Sequence, residues 1–238
     1  MCDAIVSSDE PITLVGGGEV SPGELTLCLS HAPLLVAADG GAGNALREGH
    51  VPHAVIGDLD SLRPEDRARI PADAIHRIGE QDSTDFDKAL RSLATPLVLG
   101  VGFLGGRLDH QLAALSTLVC HPHRPCLLLG AQEVVFHAPA EITLPLVTGD
   151  TVSVYPLLRV TGRSRGLAWP IDGLELSPDG RVGTSNVAQG AVTLEMDGPG
   201  ALVTVPRARL DAVVAAFRPC PAPDGSPPTW PVLWPAPA

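Results

Sequence analysis

Along the first half of the chain, short apolar runs keep breaking into glycine and acid. "ITLVGGG" (12–18), "LLVAADGG" (34–41) and "HAVIGD" (53–58) each read as a strand that stops at a glycine or Asp-Gly turn. Between and after them lie helical patterns: "AGNALREGH", the polar "RPEDRARI", and "STDFDKALRSLA", where Thr84 can cap and Asp85 and Asp87 suit the positive helix end. "AIHRI", "PLVLGVGF" and "PCLLLG" add strands, and "RLDHQLAALSTLV" adds a helix. Apolar strands alternating with helices predict βαβ units and a mostly parallel, Rossmann-like sheet.

The pattern changes near Ala131. "EVVFHA", "EITLPL", "DTVSVYPL", "RVTGRSRG", "LELS", "AVTLEM" and "ALVTVP" are short strands separated by turns, with little helical spacing. They predict a small antiparallel β domain, a sandwich or barrel. "RLDAVVAAF" reads as a closing helix or strand. The expected organisation is an α/β catalytic domain over 1–130, a β domain over 131–217, and a Pro-rich tail over 218–238. Proline that dense sustains neither helix nor central strand, although Trp230 and Trp234 could dock on a surface.

Composition narrows the function. With 238 residues and 45% hydrophobic content the chain can bury a substantial core. The net charge of −11 argues against a nucleic-acid scaffold or an anionic membrane surface as partner. No basic-then-apolar leader and no span of membrane-crossing length occurs, so a soluble cytoplasmic protein is expected. Five scattered cysteines, without a CxxC pair, read as reduced and structural. Cys120, His121, His123 and Cys126 are close in sequence, but two prolines interrupt them and a loop is favoured over zinc.

The acids coincide with the strand ends. Asp39 follows one strand and Asp58 and Asp60 follow another. Asp82, Asp85 and Asp87 surround a helix start, and Arg107, Asp109 and His110 open the next helix. An open parallel sheet binds its ligands beyond the carboxyl ends of its strands. Clustered carboxylates repel unless they share a cation, and all-oxygen donors favour Mg²⁺ over zinc. Gly40-Gly41 and Gly105-Gly106 let backbone N–H groups approach phosphate, while Lys88, the only lysine, and Arg107 could neutralise it. Together these features describe phosphoryl-type transfer. Taken singly, each has a plainer reading. Thr84 with Asp87 is a capping box, Lys88 with Asp85 an i,i+3 ion pair, and "VGGGEVSPG" a strand-to-helix turn matching no phosphate-loop fingerprint.

The ordered motifs "ADGGAGNAL", "PHAVIGDLDS", "QDSTDFDKAL", "GGRLDH", "GLAWPI" and "GTSN" resemble those of the thiamine pyrophosphokinases, over most of residues 11–217. The resemblance implies a homodimer of two-domain subunits that makes thiamine diphosphate and AMP from thiamine and ATP with Mg²⁺. It places metal and ATP contacts on Asp39, Asp58, Asp60, Asp82, Thr84, Asp85, Lys88, Arg107 and Asp109. Of these, Asp39, Asp58, Asp60 and Asp85 are the expected metal ligands. Asp60, Asp85, Lys88, Arg107 and Asp109 are the expected catalytic set, with Gly40 and Gly41 beside the nucleotide. Thiamine is expected near the subunit interface, on Trp169, Thr184, Ser185 and Asn186, and a tryptophan face suits a flat heteroaromatic cation. Two positions depart from the family pattern: Leu59 stands where an aromatic is common, and Gly183 where serine often precedes "TSN". Competing readings are an Mg-dependent sugar-nucleotide transferase, since "DLD" has the Asp-x-Asp form, and a non-catalytic nucleotide or thiamine sensor.

Overall fold

A computed structural model describes residues 4–218 and 231–236. The chain divides into two compact units, Met1–Thr117 with Cys126–Ala131, and Leu118–Pro125 with Gln132–Ala238.

In the first unit the chain runs β1 (Val6–Ser7), β2 (Ile12–Val15), α1 (Glu24–His31), β3 (Leu34–Ala38), α2 (Gly41–Arg47), β4 (Ala54–Gly57), α3 (Pro64–Arg67), β5 (Ile75–Arg77), α4 (Asp85–Arg91), β6 (Leu93–Ala94), β7 (Val98–Val101), α5 (Leu108–Cys120) and β8 (Cys126–Leu129). Six of the strands form a parallel sheet in the order β8-β7-β2-β3-β4-β5, and β1 pairs separately with β6. Strands β2, β4, β7 and β8 are buried at every position, as expected of a sheet covered on both faces. The one polar residue of β2, Thr13, satisfies its hydroxyl on the Ala32 carbonyl at 2.6 Å.

The strand order sets the place of the site. From β2 the chain winds outward through β3, β4 and β5, then returns to the other side of β2 for β7 and β8. Such a reversal leaves a crevice beyond the carboxyl ends of the two strands flanking it, here β2 and β7.

The second unit contains β9 (Glu133–His137), β10 (Glu141–Leu144), β11 (Thr151–Pro156), β12 (Val160–Leu167), β13 (Glu175–Leu176), β14 (Gly183–Met196), β15 (Ala201–Pro206) and α6 (Leu210–Ala216). All its pairings are antiparallel, in the order β9-β15-β11-β14-β12-β13, with β10 also on β14. Burial alternates along β10, β11 and β12, so each has one core face. The long β14 serves two sheets: its start pairs with β11 and its later part with β10 and β12.

Three expectations are refined. "RLDAVVAAF" is helical, as α6. "TSN", read residue by residue as a turn, lies inside β14, where Ser185 adopts φ 59° and the pairing with β11 shifts register. In the Pro-rich tail, Val232 bridges Glu141, and Trp234 Nε1 donates to the Ala138 carbonyl at 3.0 Å. Cys2, Cys220 and Trp230 lie outside the described residues. Cys28, Cys120 and Cys126 are free thiols, and burial pushes the Cys126 thiol well above its usual pKa. Among the described residues, the one group of side chains placed to share a metal is acidic and includes neither cysteine nor histidine. No described helix is long and apolar enough to cross a membrane.

Candidate active site

Strand β3 delivers Asp39 one residue past its end, in a left-handed backbone (φ 41°) that aspartate tolerates better than most residues. Strand β4 delivers Asp58 in the same way. Leu59 then turns left-handed at φ 68°, and the chain folds back so that Asp60 N donates to Asp58 Oδ1 at 3.2 Å. A leucine held at such a φ is strained, and strain of this kind gathers at functional sites. Oxygens of Asp39, Asp58 and Asp60 lie within 4.8 Å of one another. Gly57 makes this possible, because a Cβ there would sit 2.8 Å from the Asp39 Cβ and 3.1 Å from Asp85 Oδ1.

Asp39 is only 2% exposed. Its Oδ2 accepts from Ser61 N at 3.1 Å, and its Oδ1 is buried with no partner. Burial pushes its pKa up to about 6, reinforced by the charges of Asp85, Asp60 and Asp58 and opposed by the Ser61 hydrogen bond. A carboxylate oxygen left bare among other acids is a position a cation would complete. The donor set, oxygen alone, suits Mg²⁺.

The single lysine lies beneath this cluster. Thr84 caps α4, accepting from Asp87 N at 3.2 Å, and the helix brings Lys88 one turn beyond Asp85. Lys88 is 1% exposed, and its Nζ lies 3.0 Å from Asp58 Oδ2 and 3.1 Å from Asp85 Oδ1. Burial alone would lower its pKa, but the hydrogen bonds to Asp58 and Asp85 carry it upward. The same Lys88 bond, reinforced by Gln81, draws Asp58 below the usual carboxylate range despite burial. Asp85 Oδ1 also accepts from Asp58 N at 3.4 Å. Asp85, expected as a metal ligand, thus faces Lys88, and the three-carboxylate group comprises Asp39, Asp58 and Asp60.

The cluster lies in a cleft of about 1170 Å³. Its opposite wall comes from the loops after β2 and β7, which approach so closely that a Cβ on Gly16 or Gly18 would meet the Gly102 carbonyl oxygen at 2.6 Å. Helix α2 starts against the same loop, and a Cβ on Gly41 would lie 2.0 Å from the Val15 carbonyl oxygen. Phe86 and Phe103, with ring centroids 4.4 Å apart, give the cleft an apolar patch.

The remaining expected residues are distributed as follows. Gly40, Thr84 and Arg107 line the cleft. Arg107 is exposed and binds Asp109 through two hydrogen bonds of 3.1 and 2.6 Å, which raises the pKa of the arginine and lowers that of the acid. Asp82 is exposed and does not line the cleft. Trp169 and Asn186 belong to the second unit and lock together there. Asn186 Nδ2 donates to the Trp169 carbonyl at 2.6 Å, and Trp169 N donates to Asn186 Oδ1 at 3.1 Å. The indole, 63% exposed, is left facing outward, with Thr184 and Ser185 exposed on the same strand as Asn186.

Several cleft residues are absent from the expected set. Asn44 Nδ2 donates to the carbonyls of Gly16 (2.6 Å) and Gly18 (2.9 Å), tying α2 to the glycine turn, and Arg47 NH2 donates to Asn44 Oδ1. Arg63 pairs with Asp66 at 2.7 Å on the same side of the cleft. A local signal existed for Asn44, since asparagine is a poor interior helix residue unless its side chain has work elsewhere.

A parallel α/β sheet with a carboxylate, glycine and cation cleft at its topological reversal defines a phosphate-handling protein of the doubly wound class. Residues 25–128 match the family model for the thiamin pyrophosphokinase catalytic domain. Thiamine pyrophosphokinase 3 of Oryza sativa subsp. japonica is 26% identical over 192 residues, covering 66% of this chain and 72% of that one. The thiamine pyrophosphokinase of Bacillus subtilis (strain 168) is 33% identical over 115 residues, 45% of this chain and 53% of that one. Among solved structures, thiamin pyrophosphokinase from Candida albicans superposes with a TM-score of 0.70 at 14% identity, over 82% of this chain and 89% of that one. The thiamin pyrophosphokinase from Geobacillus thermodenitrificans gives 0.67 at 25% identity, over 82% and 96%. The chain belongs to the thiamine pyrophosphokinase family.

Proposed function

We propose that this protein transfers the diphosphoryl group of ATP to the hydroxyl of thiamine, giving thiamine diphosphate and AMP. The observation that supports this best is the Asp39–Asp58–Asp60 group with the bare, buried Asp39 Oδ1 at its centre. Mg²⁺ would be held by these three carboxylates and, when bound, would neutralise phosphate oxygens. The rest of the work falls to the chain. Lys88, fixed between Asp58 and Asp85, keeps Asp58 ionised and aimed into the cleft. The glycine turns after β2 and β7 admit a polyphosphate close to the backbone. Arg107, exposed at the cleft, exchanges Asp109 for phosphate. The thiamine hydroxyl attacks the β-phosphorus in line, the bond between the α-phosphate oxygen and the β-phosphorus breaks, and the hydroxyl proton leaves as AMP departs. Trp169, Thr184, Ser185 and Asn186 are proposed to receive thiamine, with the protein acting as a homodimer.

The test is incubation with thiamine, ATP and Mg²⁺, followed by separation of the nucleotides. AMP and thiamine diphosphate in equal amounts are expected; ADP, or no product, would refute the reading. Asp60→Asn should keep the fold by circular dichroism while turnover drops by about two orders of magnitude or more, as for loss of one charge-stabilising group.

A further inference from the structure

The cleft has a second end. Helix α2 begins beside Asp39 and finishes at Arg47, and seven residues at about 1.5 Å each separate the two by roughly 10 Å. At that far end a smaller pocket of about 350 Å³ adjoins the cleft, lined by Val20, Pro22, Gly23, Asn44, Arg47 and Glu48. Asn44 and Arg47 line both spaces, so the two are contiguous.

Charge pairing singles Arg47 out. Lys88 is engaged by Asp58 and Asp85, Arg63 by Asp66 and Glu65, and Arg107 by Asp109. Among the described residues Arg47 has no carboxylate partner. Its one hydrogen bond, to Asn44 Oδ1, orients the guanidinium while leaving its face and other donors available. The neighbouring Glu48 carboxylate likewise has no hydrogen-bond or ion-pair partner among the described residues. A planar cation, a free acceptor and the apolar faces of Val20 and Pro22 match a nucleobase: the guanidinium stacks on the ring, and the carboxylate accepts from an exocyclic amine.

We propose that the pocket at the end of α2 is the nucleoside subsite of the diphosphoryl donor. Arg47 packs on the base, and Glu48 selects an amino-substituted purine, adenine, over a purine bearing a carbonyl at that position. The inference rests on the diphosphotransferase reading above. The span of α2 fits it, since phosphates on the Asp39 side place a nucleoside about one triphosphate length away.

The test uses binding, so that it separates from turnover. Affinities of the full-length protein for Mg·ATP, Mg·GTP and Mg·tripolyphosphate are measured by calorimetry, with Arg47→Ala and Glu48→Gln as variants. Arg47→Ala should weaken ATP about tenfold, the scale of one lost stacking contact, and leave tripolyphosphate within twofold. Glu48→Gln should shrink the preference for ATP over GTP by a similar factor, again without touching tripolyphosphate. Equal losses for ATP and tripolyphosphate in Arg47→Ala would make this arginine a phosphate ligand and overturn the assignment. Unchanged ATP affinity in both variants would do the same while leaving the enzymatic reading intact. A wild-type protein that binds neither ATP nor tripolyphosphate would overturn both.

Discussion

At Asp39 a carboxylate occupies a place where its own charge is unwelcome. Folding buries it and surrounds it with other acids, so its pKa rises from 3.8 to about 6. The folded state therefore holds this proton more tightly than the unfolded chain does. Its contribution is neutral below about pH 4, turns unfavourable as pH climbs to about 6, and is constant above that. Two pKa units correspond to about 3 kcal/mol. Without divalent cations, wild type should lose up to that amount between pH 4 and 7 relative to Asp39→Asn, read from urea midpoints at both pH values. A gap between the two proteins that does not move with pH would refute it. Added Mg²⁺ should close the gap in wild type alone. The acids themselves were legible in the sequence, because each interrupts an apolar run beside a glycine. Arg47 and Asn44 were not, since the Gly16 and Gly18 carbonyls that Asn44 holds lie 28 and 26 residues earlier, and no local spacing announces such a pair.

Among the elements, α4 shows how a short helix can be specified by its first turn. Seven residues are too few for intrinsic helicity to hold it, so cap, dipole and packing must combine. Thr84 supplies the cap and Asp85 and Asp87 the favourable charges, while Phe86, Ala89 and Leu90 bury one side. Thr84→Ala should cost about 1 kcal/mol. Because Lys88 rides on the same turn, the loss should appear in catalysis too, as a fall in kcat larger than that of a capping change on α1. Equal effects at the two helices would separate the cap from the site. Thr84, Asp85 and Asp87 in "STDFDKAL" announced this helix, whereas the course of β14 stayed hidden. Its fourteen residues include Gly190 and a left-handed Ser185, and turn-forming letters gave no warning that one strand would serve two sheets.

Over the whole molecule, the change of periodicity near Ala131 marked where helices give way to antiparallel strands, and the structure begins β9 at Glu133. The tail was less readable. Its composition says only that it cannot be a helix or an inner strand, yet Ala140 N donates to the Val232 carbonyl at 2.7 Å and Val232 N to the Glu141 carbonyl at 3.2 Å. Pairing across some ninety residues leaves no trace in a local pattern. Removing residues 219–238 would take away these bonds and the Trp234 contact, at about 1 kcal/mol each. The melting midpoint should fall by roughly 5 °C, while thiamine diphosphate formation continues at the permissive temperature. Loss of activity without loss of stability would instead give the tail a part in the reaction.

Gly40 and Gly41 stand side by side and look interchangeable in print, but they would leave different marks in a pool of variants. Position 40 has an ordinary right-handed helical backbone, and a methyl there would lie 3.2 Å from the Ser61 Cβ, close enough to be accommodated by a small shift. Position 41 abuts a backbone carbonyl oxygen, which has no rotamer to yield. Every codon change that replaces this glycine installs an atom where none fits. In a saturation library selected for function, alanine should survive at 40, whereas 41 should remain glycine.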